Sequence, residues 1–263
     1  MVNEPGTLRG RVAVVTGASS GIGAAIARAL SAKGAAVMID YLGDPAPAEA
    51  LVAELRAAGG DAAYAEADVS QPASVARLFA AIDARWGRLD ILVNNAGIDG
   101  ERQRGWEGTI DNWHSVLAVN LFGAYYCARE ALSRMVPKGN GVIVSVSSVH
   151  EVIPWTGYSA YTTSKAGLSM LMKTLAQEAA PHGVRVACVA PGAIRTAINR
   201  AVWSDEETNA DLLSKIPLGR IGATEEVASL VAYLASDAAS YITGTTVFVD
   251  GGMTLYPSFE HGG

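Results

Sequence analysis

The fold of this chain is indicated first by residues 14–23, which read Val14-Val15-Thr16-Gly17-Ala18-Ser19-Ser20-Gly21-Ile22-Gly23. An apolar run ends inside this stretch, glycines follow at the spacing Gly-x-x-x-Gly-x-Gly, and a helical pattern begins. Glycine lets the backbone turn sharply and approach a ligand closely, and the free N–H groups of a helix start attract an anion. The stretch therefore predicts a strand, a nucleotide-binding turn and a helix, although an ordinary glycine-rich turn is the alternative. The predicted nucleotide contacts within it are Gly17, Ser19, Ser20, Gly21, Ile22 and Gly23.

Short apolar runs and longer helical patterns alternate along the rest of the chain. The predicted strands span residues 12–16, 35–40, 62–67, 91–94, 142–146, 184–190 and 246–249. The predicted helices cover residues 21–33, 47–59, 110–135, 158–180 and 225–235, the last capped by Thr224. Another helix is expected after Ser70 as its cap, with Pro72 in its first turn. This alternation predicts right-handed crossovers and an α/β fold, a doubly wound parallel sheet with helices on both faces.

No linker, repeat or low-complexity tract interrupts the pattern, so a single domain over residues 1–263 is predicted. Its cofactor half is expected to extend to about residue 140, and residues 141–263 form the catalytic and substrate half. The least regular stretches, 98–108 and 192–214, both follow carboxyl ends of predicted strands, where sheets of this kind bind ligands. We expect the second stretch to be a mobile lid that contains a short helix.

Composition argues against several classes of protein. The chain has 263 residues, is 50% hydrophobic and carries a net charge of −6, which disfavours nucleic acid as a partner. No apolar run reaches the ~18 residues that span a bilayer, and no secretory signal is apparent. The two cysteines, Cys127 and Cys188, are expected to be buried structural thiols. The cysteine usage and the lack of a signal or membrane span predict a cytoplasmic protein. The four histidines have no ligand-like spacing, so we expect no metal.

The reactive group is predicted from Tyr161 and Lys165, which lie four residues apart in a helical pattern. On a helix these side chains share one face, and a nearby ammonium is expected to lower the phenol pKa from its usual value near ~10. Such a tyrosine could take a proton from an alcohol. The pair alone arises often by chance, but Ser148 lies thirteen residues earlier, with Ser147 as the neighbouring alternative. Asn120 lies inside a helical pattern, where its propensity is poor, so a polar role is plausible.

Taken together, these motifs resemble the short-chain dehydrogenase/reductase family over the whole chain. The family's TGxxxGIG motif matches residues 16–23, its NNAG motif residues 94–97 and its PG motif residues 191–192. The resemblance implies a seven-stranded Rossmann sheet, an NAD(P) cofactor and a homotetramer. It also implies a catalytic tetrad in which Tyr161 is the acid–base, Lys165 tunes it and holds the nicotinamide ribose, Ser148 binds the substrate oxygen, and Asn120 anchors a water in a proton relay. The further cofactor contacts that it implies are Asp68, Val69, Asn95, Ala96, Gly97, Pro191, Gly192, Ile194 and Thr196.

The choice between NAD and NADP depends on the residues after the second predicted strand, Asp40, Tyr41 and Leu42. A carboxylate there accepts a bond from the ribose 2′-hydroxyl and repels a 2′-phosphate. The family's NAD-selecting aspartate corresponds to Tyr41, so Asp40 is one place early and its side chain could point to the other face. No Lys or Arg lies near enough in sequence to hold a phosphate. We expect NAD, with NADP tolerated.

The substrate is suggested by residues 147–155 and 250–259, which are similar to the glucose dehydrogenases of this family. The similarity implies oxidation of glucose at C1 to gluconolactone, with Asp99, Ser148, His150 and Asn199 as substrate contacts. Another sugar or polyol is an alternative substrate, because the loop after Asp99 and the lid around Trp203 differ from the corresponding segments of those enzymes. The alternative for His150 is a surface pair with the next glutamate, and for Asp99 a solvated loop residue.

Two other functions fit parts of the pattern. A 3-oxoacyl-[acyl-carrier-protein] reductase or another carbonyl reductase would use the same tetrad, but an acidic carrier favours a basic patch beside the cleft, and the chain offers a loose one. The alternative from a different class is a nucleotide-sensing protein without catalysis, which the intact tetrad disfavours. The sequence therefore predicts an NAD(P)-dependent oxidoreductase acting on a small molecule, with a sugar favoured.

Overall fold

The computed structural model describes residues 7–196 and 205–255. Its seven strands form one parallel sheet in the order β3-β2-β1-β4-β5-β6-β7. They are β1 (Val12–Val15), β2 (Ala36–Tyr41), β3 (Ala62–Glu66), β4 (Ile91–Asn94), β5 (Gly141–Val146), β6 (Val184–Pro191) and β7 (Thr246–Val249). The helices are α1 (Gly21–Ala32), α2 (Ala46–Ala57), α3 (Pro72–Trp86), α4 (Ile110–Leu117), α5 (Ala124–Met135), α6 (Ser159–Ala179), α7 (Glu206–Leu213) and α8 (Thr224–Leu234). The predicted doubly wound α/β fold is confirmed.

Hydrophobic cores lie on both faces of the sheet, because successive residues of a buried strand point to opposite faces. In β1, Ala13 and Val15 belong to the core beneath α1, α2 and α8. Val12 and Val14 belong to the core beneath α3, α5 and α6. The chain reverses its direction across the sheet between β1 and β4, so the carboxyl ends of these two neighbours open a crevice.

Several element boundaries differ from the prediction. Ser70 does not cap α3: Gln71 precedes the helix, and the Ser70 hydroxyl donates to the Asp68 carboxylate at 2.7 Å. Thr224 is the first residue of α8 and not its cap; the N–H of Ala223 donates to the Glu226 carboxylate at 2.8 Å. At the start of each of these two helices, no side chain of the capping residue makes a capping bond.

The predicted helix over residues 110–135 is interrupted. Between α4 and α5 the backbone forms a π-helical segment, Ala118–Gly123, which contains Asn120. Such wide turns occur often at functional sites. The segment carries Asn120 on its inner side, where the residue is buried.

The remaining predictions about the chain concern cysteines, the lid and membranes. Cys127 and Cys188 are free and buried. α7 lies inside the stretch predicted as a lid, but residues 197–204, with Asn199 and Trp203, lie outside the described residues. The same holds for the carboxyl-terminal residues from 256 onward. Within the described ranges, no helix is both long and apolar enough to cross a bilayer.

Candidate active site

A cleft of about 590 Å³ opens at the carboxyl ends of the strands. Most of the predicted site residues line it, namely Gly17, Ser19, Ser20, Gly21, Ile22, Gly23, Asp40, Leu42, Asp68, Val69, Asn95, Ala96, Gly97, Asp99, Ser148, His150, Tyr161, Lys165, Pro191, Gly192, Ile194 and Thr196. Tyr41 and Asn120 are not among the lining residues. The described part of the chain therefore places the glycine turn and the reactive tyrosine in one continuous cavity.

The glycine turn is fixed from behind by two polar side chains. The Asn95 amide donates to the backbone oxygens of Thr16 at 2.9 Å and Gly17 at 3.0 Å. The Thr16 hydroxyl accepts from the N–H groups of Asn95 and Ala96, both at 3.0 Å. Thr16 was not predicted as a site residue, since its role depends on β4 lying beside β1, which no local sequence signal reveals.

Close packing requires glycine at two positions of the turn. A Cβ atom on Gly17 would lie 2.9 Å from the Cα of Ala96. On Gly23 it would lie 2.5 Å from the Asn95 amide nitrogen and 2.6 Å from the Gly17 oxygen. The first turn of α1 contains no acidic side chain, and Ser20 makes no side-chain cap, so its N–H groups face the cleft without an internal anion. This cradle fits a pyrophosphate.

Asp40 lies beneath the turn. Its Oδ2 accepts from the Gly17 N–H at 3.0 Å, and its buried Oδ1 has no hydrogen-bond partner among the described residues. Burial raises the pKa of Asp40 to about 7, and the charge of Asp68 adds to the rise. Tyr41 points away from the cleft and packs against Tyr64, with 5.9 Å between ring centroids, whereas Leu42 is 65% exposed. Hence Asp40 and Leu42, and not Tyr41, face the cofactor end of the cleft.

The side chains that the sequence predicts to be reactive meet where β5 ends and α6 begins. Lys165 Nζ donates to the Val146 backbone oxygen at 3.0 Å and lies 5.6 Å from the centroid of the Tyr161 ring. The Ser148 hydroxyl lies close enough to the Tyr161 hydroxyl to lower its pKa. The Ser147 hydroxyl instead donates to the Lys165 backbone oxygen at 3.4 Å, so this alternative serine is held away from the phenol. Ser148 is therefore the serine beside the tyrosine.

The expected fall in the pKa of Tyr161 beside Lys165 is wrong. Burial raises the pKa of Tyr161 to about 12, although the Ser148 hydroxyl lowers it, and the charge of Asp99 raises it further. Burial likewise lowers the pKa of Lys165 to about 8. Both shifts have the same main cause: burial removes hydration and so disfavours the charged form of each group.

Asn120 supports the site from outside the cavity. Its Oδ1 accepts from the Ile98 N–H, and its Nδ2 donates to the Ile98 oxygen, both at 2.9 Å. Nδ2 also donates to the Ser164 hydroxyl at 3.0 Å. The side chain thus ties the loop after β4 to α6. Its role as the anchor of a proton relay stays a prediction.

The opposite end of the cleft, beyond Tyr161, is aromatic. Trp155 stacks on His150 with ring centroids 4.5 Å apart, and on Tyr158 at 3.9 Å. His150 Nδ1 lies 3.1 Å from the Ile153 backbone oxygen. Because a carbonyl can only accept, Nδ1 carries the proton, and a neutral ring leaves Nε2 as an acceptor. Burial is the main cause that lowers the pKa of His150, which favours this neutral form. Trp155 was not predicted as a site residue.

Comparison with known proteins identifies the family. The family model described as enoyl-(acyl carrier protein) reductase matches residues 17–254. The chain belongs to the short-chain dehydrogenase/reductase family. It is therefore an NAD(P)-dependent oxidoreductase. In the residues that the structure describes, no group of three or more His, Cys, Asp or Glu side chains could hold a metal ion.

Individual relatives differ in the substrates that their names give. The chain is 47% identical to 3beta-hydroxysteroid dehydrogenase 1 of Eggerthella lenta, over 97% of this chain and 98% of that one. It is 40% identical to glucose 1-dehydrogenase 2 of Bacillus subtilis, over 95% and 97%. A crystal structure of gluconate 5-dehydrogenase from Burkholderia cenocepacia, in complex with NADP and tartrate, superposes with a TM-score of 0.91 at 34% identity, covering 95% and 98%.

Proposed function

We propose that this protein oxidises a hydroxyl group on a neutral six-membered ring, with NAD as the favoured oxidant and a sugar, glucose at C1 first, as the substrate. The observation that carries the proposal is the position of Tyr161, beside Ser148 and Lys165, in the same cleft as the glycine cradle. The homotetramer and the cytoplasmic location expected from the sequence stay predictions.

The residues at the cofactor end fit a dinucleotide. The cradle of Gly17 and Gly23 and the first N–H groups of α1 would hold the pyrophosphate. The nicotinamide, when bound, supplies the acceptor for a hydride. NAD is favoured over NADP because exposed Leu42 and buried Asp40 offer no positive charge to a 2′-phosphate.

At the reaction end, the side chains of this chain handle the proton and the oxygen charge. Tyr161 takes the proton of the substrate hydroxyl, and Ser148 donates a hydrogen bond to the substrate oxygen. The Lys165 ammonium stabilises the phenolate that this transfer requires. Burial raises the pKa of Tyr161 to about 12, and the charge of Asp99 adds to the rise, so the proton transfer depends on this stabilisation of the phenolate.

The charge at the substrate end favours a neutral polyol. Asp99 and neutral His150 supply hydrogen-bond acceptors that suit the further hydroxyls of a sugar. The charge of Asp99 would repel a carboxylate, which disfavours gluconate, the substrate named for the structural neighbour. Both relatives described above have names that place the reacting hydroxyl on a six-membered ring.

A steroid alcohol is the second candidate. It is favoured by apolar side chains that line the cleft, among them Val149, Leu212 and Met253. A fused apolar ring system could bury more of this surface than a hexose can. The two candidates differ in their need for hydrogen-bond acceptors. Replacement of Asp99 by Asn should therefore lower kcat/KM for a sugar more than kcat/KM for a steroid.

The proposal is tested by a panel of hexoses, polyols, hydroxysteroids and 3-oxoacyl thioesters with NAD and NADP. For the substrate with the highest kcat/KM, Tyr161→Phe should lower kcat by about 10²–10⁴-fold while the Kd for NAD stays within a few-fold. Tyr158→Phe is the matched control, because it removes a hydroxyl from a neighbouring ring and should leave kcat nearly unchanged.

Three outcomes would contradict the proposal. Turnover of thioesters alone would indicate a carbonyl reductase. Nucleotide binding without turnover of any alcohol, in wild type and variant alike, would indicate a nucleotide sensor. Full activity in Tyr161→Phe would remove the assigned acid–base.

A further inference from the structure

Three aromatic rings form a column along the substrate end of the cleft. Trp155 stacks on both His150 and Tyr158, with interplanar angles of 11° and 26°. The Tyr161 ring meets this column at a steep angle, 78° to Trp155 with 5.8 Å between centroids, and 71° to His150 with 6.3 Å. We call these three residues, His150, Trp155 and Tyr158, the aromatic column. It lies directly beside the reactive phenol.

The loop that carries the column is braced on both sides. The Tyr158 N–H donates to the Trp155 oxygen at 3.1 Å, which closes a turn. The Gly157 oxygen accepts from the Gln103 N–H at 2.9 Å, so the loop after β4 holds it from the other side. With its ring stacked on two neighbours, the Trp155 side chain has little rotamer freedom left to lose when a ligand arrives.

Part of the indole nevertheless stays open. Trp155 is 37% exposed and lines the cleft together with His150 and Tyr161. The Trp155 and Tyr161 ring centroids are 5.8 Å apart, so the indole lies within reach of the carbon atoms next to a hydroxyl that bonds to Tyr161. Burial of the exposed indole surface favours binding of a substrate whose carbon atoms pack against it.

We propose that Trp155 is a specificity-determining residue, whose open indole surface packs against the ring of a cyclic alcohol and so favours cyclic over acyclic secondary alcohols. The inference rests on the proposed dehydrogenase function. A ring is already rigid, so it contacts the rigid column without losing internal freedom. An acyclic alcohol of the same carbon number must freeze several bonds to cover the same surface. The two classes therefore differ in transition-state binding while sharing Tyr161 and Ser148.

The test uses two secondary alcohols with six carbons, cyclohexanol and 3-hexanol, oxidised with saturating NAD. The wild-type protein should show a higher kcat/KM for cyclohexanol. Trp155→Ala should reduce the ratio of the two kcat/KM values by about tenfold or more, mainly by lowering the value for cyclohexanol. Trp155→Phe, which keeps an aromatic ring in the column, should retain most of the preference. Trp106→Ala removes a tryptophan that is 81% exposed and does not line the cleft, so the ratio should not change.

The outcomes separate this inference from the proposed function. An unchanged ratio in Trp155→Ala, or an equal loss for both alcohols with the Kd for NAD preserved, would overturn the role of Trp155 and leave the dehydrogenase intact. A wild-type preference for 3-hexanol would also overturn it. If the wild-type protein oxidises neither these alcohols nor any member of the panel, the proposed function fails and the inference fails with it. Circular dichroism and the Kd for NAD show that each variant is folded.

Discussion

Asp40 is the residue whose chemistry departs most from a surface aspartate. It is 1% exposed, and Oδ2 bonds to Gly17 while Oδ1 stays without a partner among the described residues. The charged group of Asp68 lies near it. Burial raises the pKa of the Cys127 thiol in α5, and the charge of Asp40 adds to this rise. Because burial raises the pKa of Asp40 to about 7, the carboxyl group changes charge close to neutral pH. The folded protein is therefore expected to respond to pH at the base of its cofactor site.

Replacement of Asp40 by Asn should remove this response. The native pKa of about 7 exceeds the ordinary value, so the folded chain binds more protons than the unfolded chain between about pH 4 and pH 7. The free energy of unfolding therefore falls as pH rises through this interval, by at most about 4 kcal/mol from this group. In Asp40→Asn the fall should be smaller, as measured by urea unfolding at about pH 5 and about pH 8.

Asp111→Asn is the control for this measurement, because Asp111 is exposed at the start of α4. Its pH dependence should follow that of the wild-type protein. Parallel curves for wild type and Asp40→Asn would show that the buried carboxyl group does not titrate in this range.

Single residues were predictable where strand ends fix their place. Ser148, Tyr161 and Asp99 follow strand ends or lie on a predicted helix face, and all of them line the cleft. Thr16 and Trp155 were missed because their contacts come from segments distant in sequence. The pKa of Tyr161 was expected to fall and instead rises, because the extent of burial cannot be read from a spacing of four residues.

At the scale of elements, α1 depends on the glycine in its first turn. Gly23→Ala should place a methyl group within 3 Å of the Asn95 amide and of the Gly17 oxygen, so the phosphate-binding turn must move. The Kd for NAD should rise by about tenfold or more, since a misplaced cradle loses several N–H contacts at once. Isothermal titration with NAD measures this change.

The control for Gly23→Ala is Gly105→Ala. A Cβ atom on Gly105 would lie 4.0 Å from the Ser159 hydroxyl, so the same substitution meets no close neighbour there. This variant should bind NAD as the wild-type protein does. An unchanged Kd for NAD in Gly23→Ala would show that the cradle tolerates a side chain and that the proposed pyrophosphate position is wrong.

Element positions were predictable to within about a residue because strands and helices here have clear apolar periods. β4 and β7 match their predicted bounds, and β2 extends one residue further, to Tyr41. The π-helical segment was not predictable, since the sequence Ala118–Gly123 continues the helical pattern on both sides. Asn120 within it bonds to the backbone of Ile98, a contact from a distant segment that local propensity does not predict.

At the scale of the whole molecule, stability rests on two cores that share one sheet. Phe79 of α3 is fully buried in the core that α3, α5 and α6 cover. The Arg134 guanidinium lies 5.2 Å from its ring centroid and also pairs with Asp83 and Glu130, at 2.7 and 2.8 Å. This cluster joins α3 to α5 without touching the cleft.

Phe79→Ala should therefore lower the free energy of unfolding by about 3–5 kcal/mol through the cavity that it creates. The Kd for NAD should not change, because the variant leaves the opposite face of the sheet and the glycine turn in place. Urea unfolding and an NAD titration measure the two quantities. Phe79→Leu should lower the free energy of unfolding by less, since leucine keeps most of the side-chain volume. If Phe79→Ala lowered the free energy of unfolding by less than about 1 kcal/mol, the core would have collapsed into the space that the ring leaves.

The sheet topology was partly predictable from the chain. Alternating strands and helices with short connections require right-handed crossovers, which limits the possible strand orders. The actual order, in which β4 lies beside β1, was implied by the family motifs and not by hydrophobic periodicity. The same order brings Thr16 next to Asn95, so the contacts that fix the cofactor site follow from the topology as a whole.

The wide turn between α4 and α5 limits how this chain can diverge. A π turn contains one residue more than an α turn, so deletion of a single residue from Ala118–Gly123 would leave an uninterrupted helix with more regular backbone bonds. Because the π turn absorbs its extra residue, this deletion would leave the side chains of α5 close to their present orientation, but it would close the wide turn that places the Asn120 amide against the Ile98 backbone. Descendants of this sequence are thus expected to keep the length of this helix even where its amino acids drift.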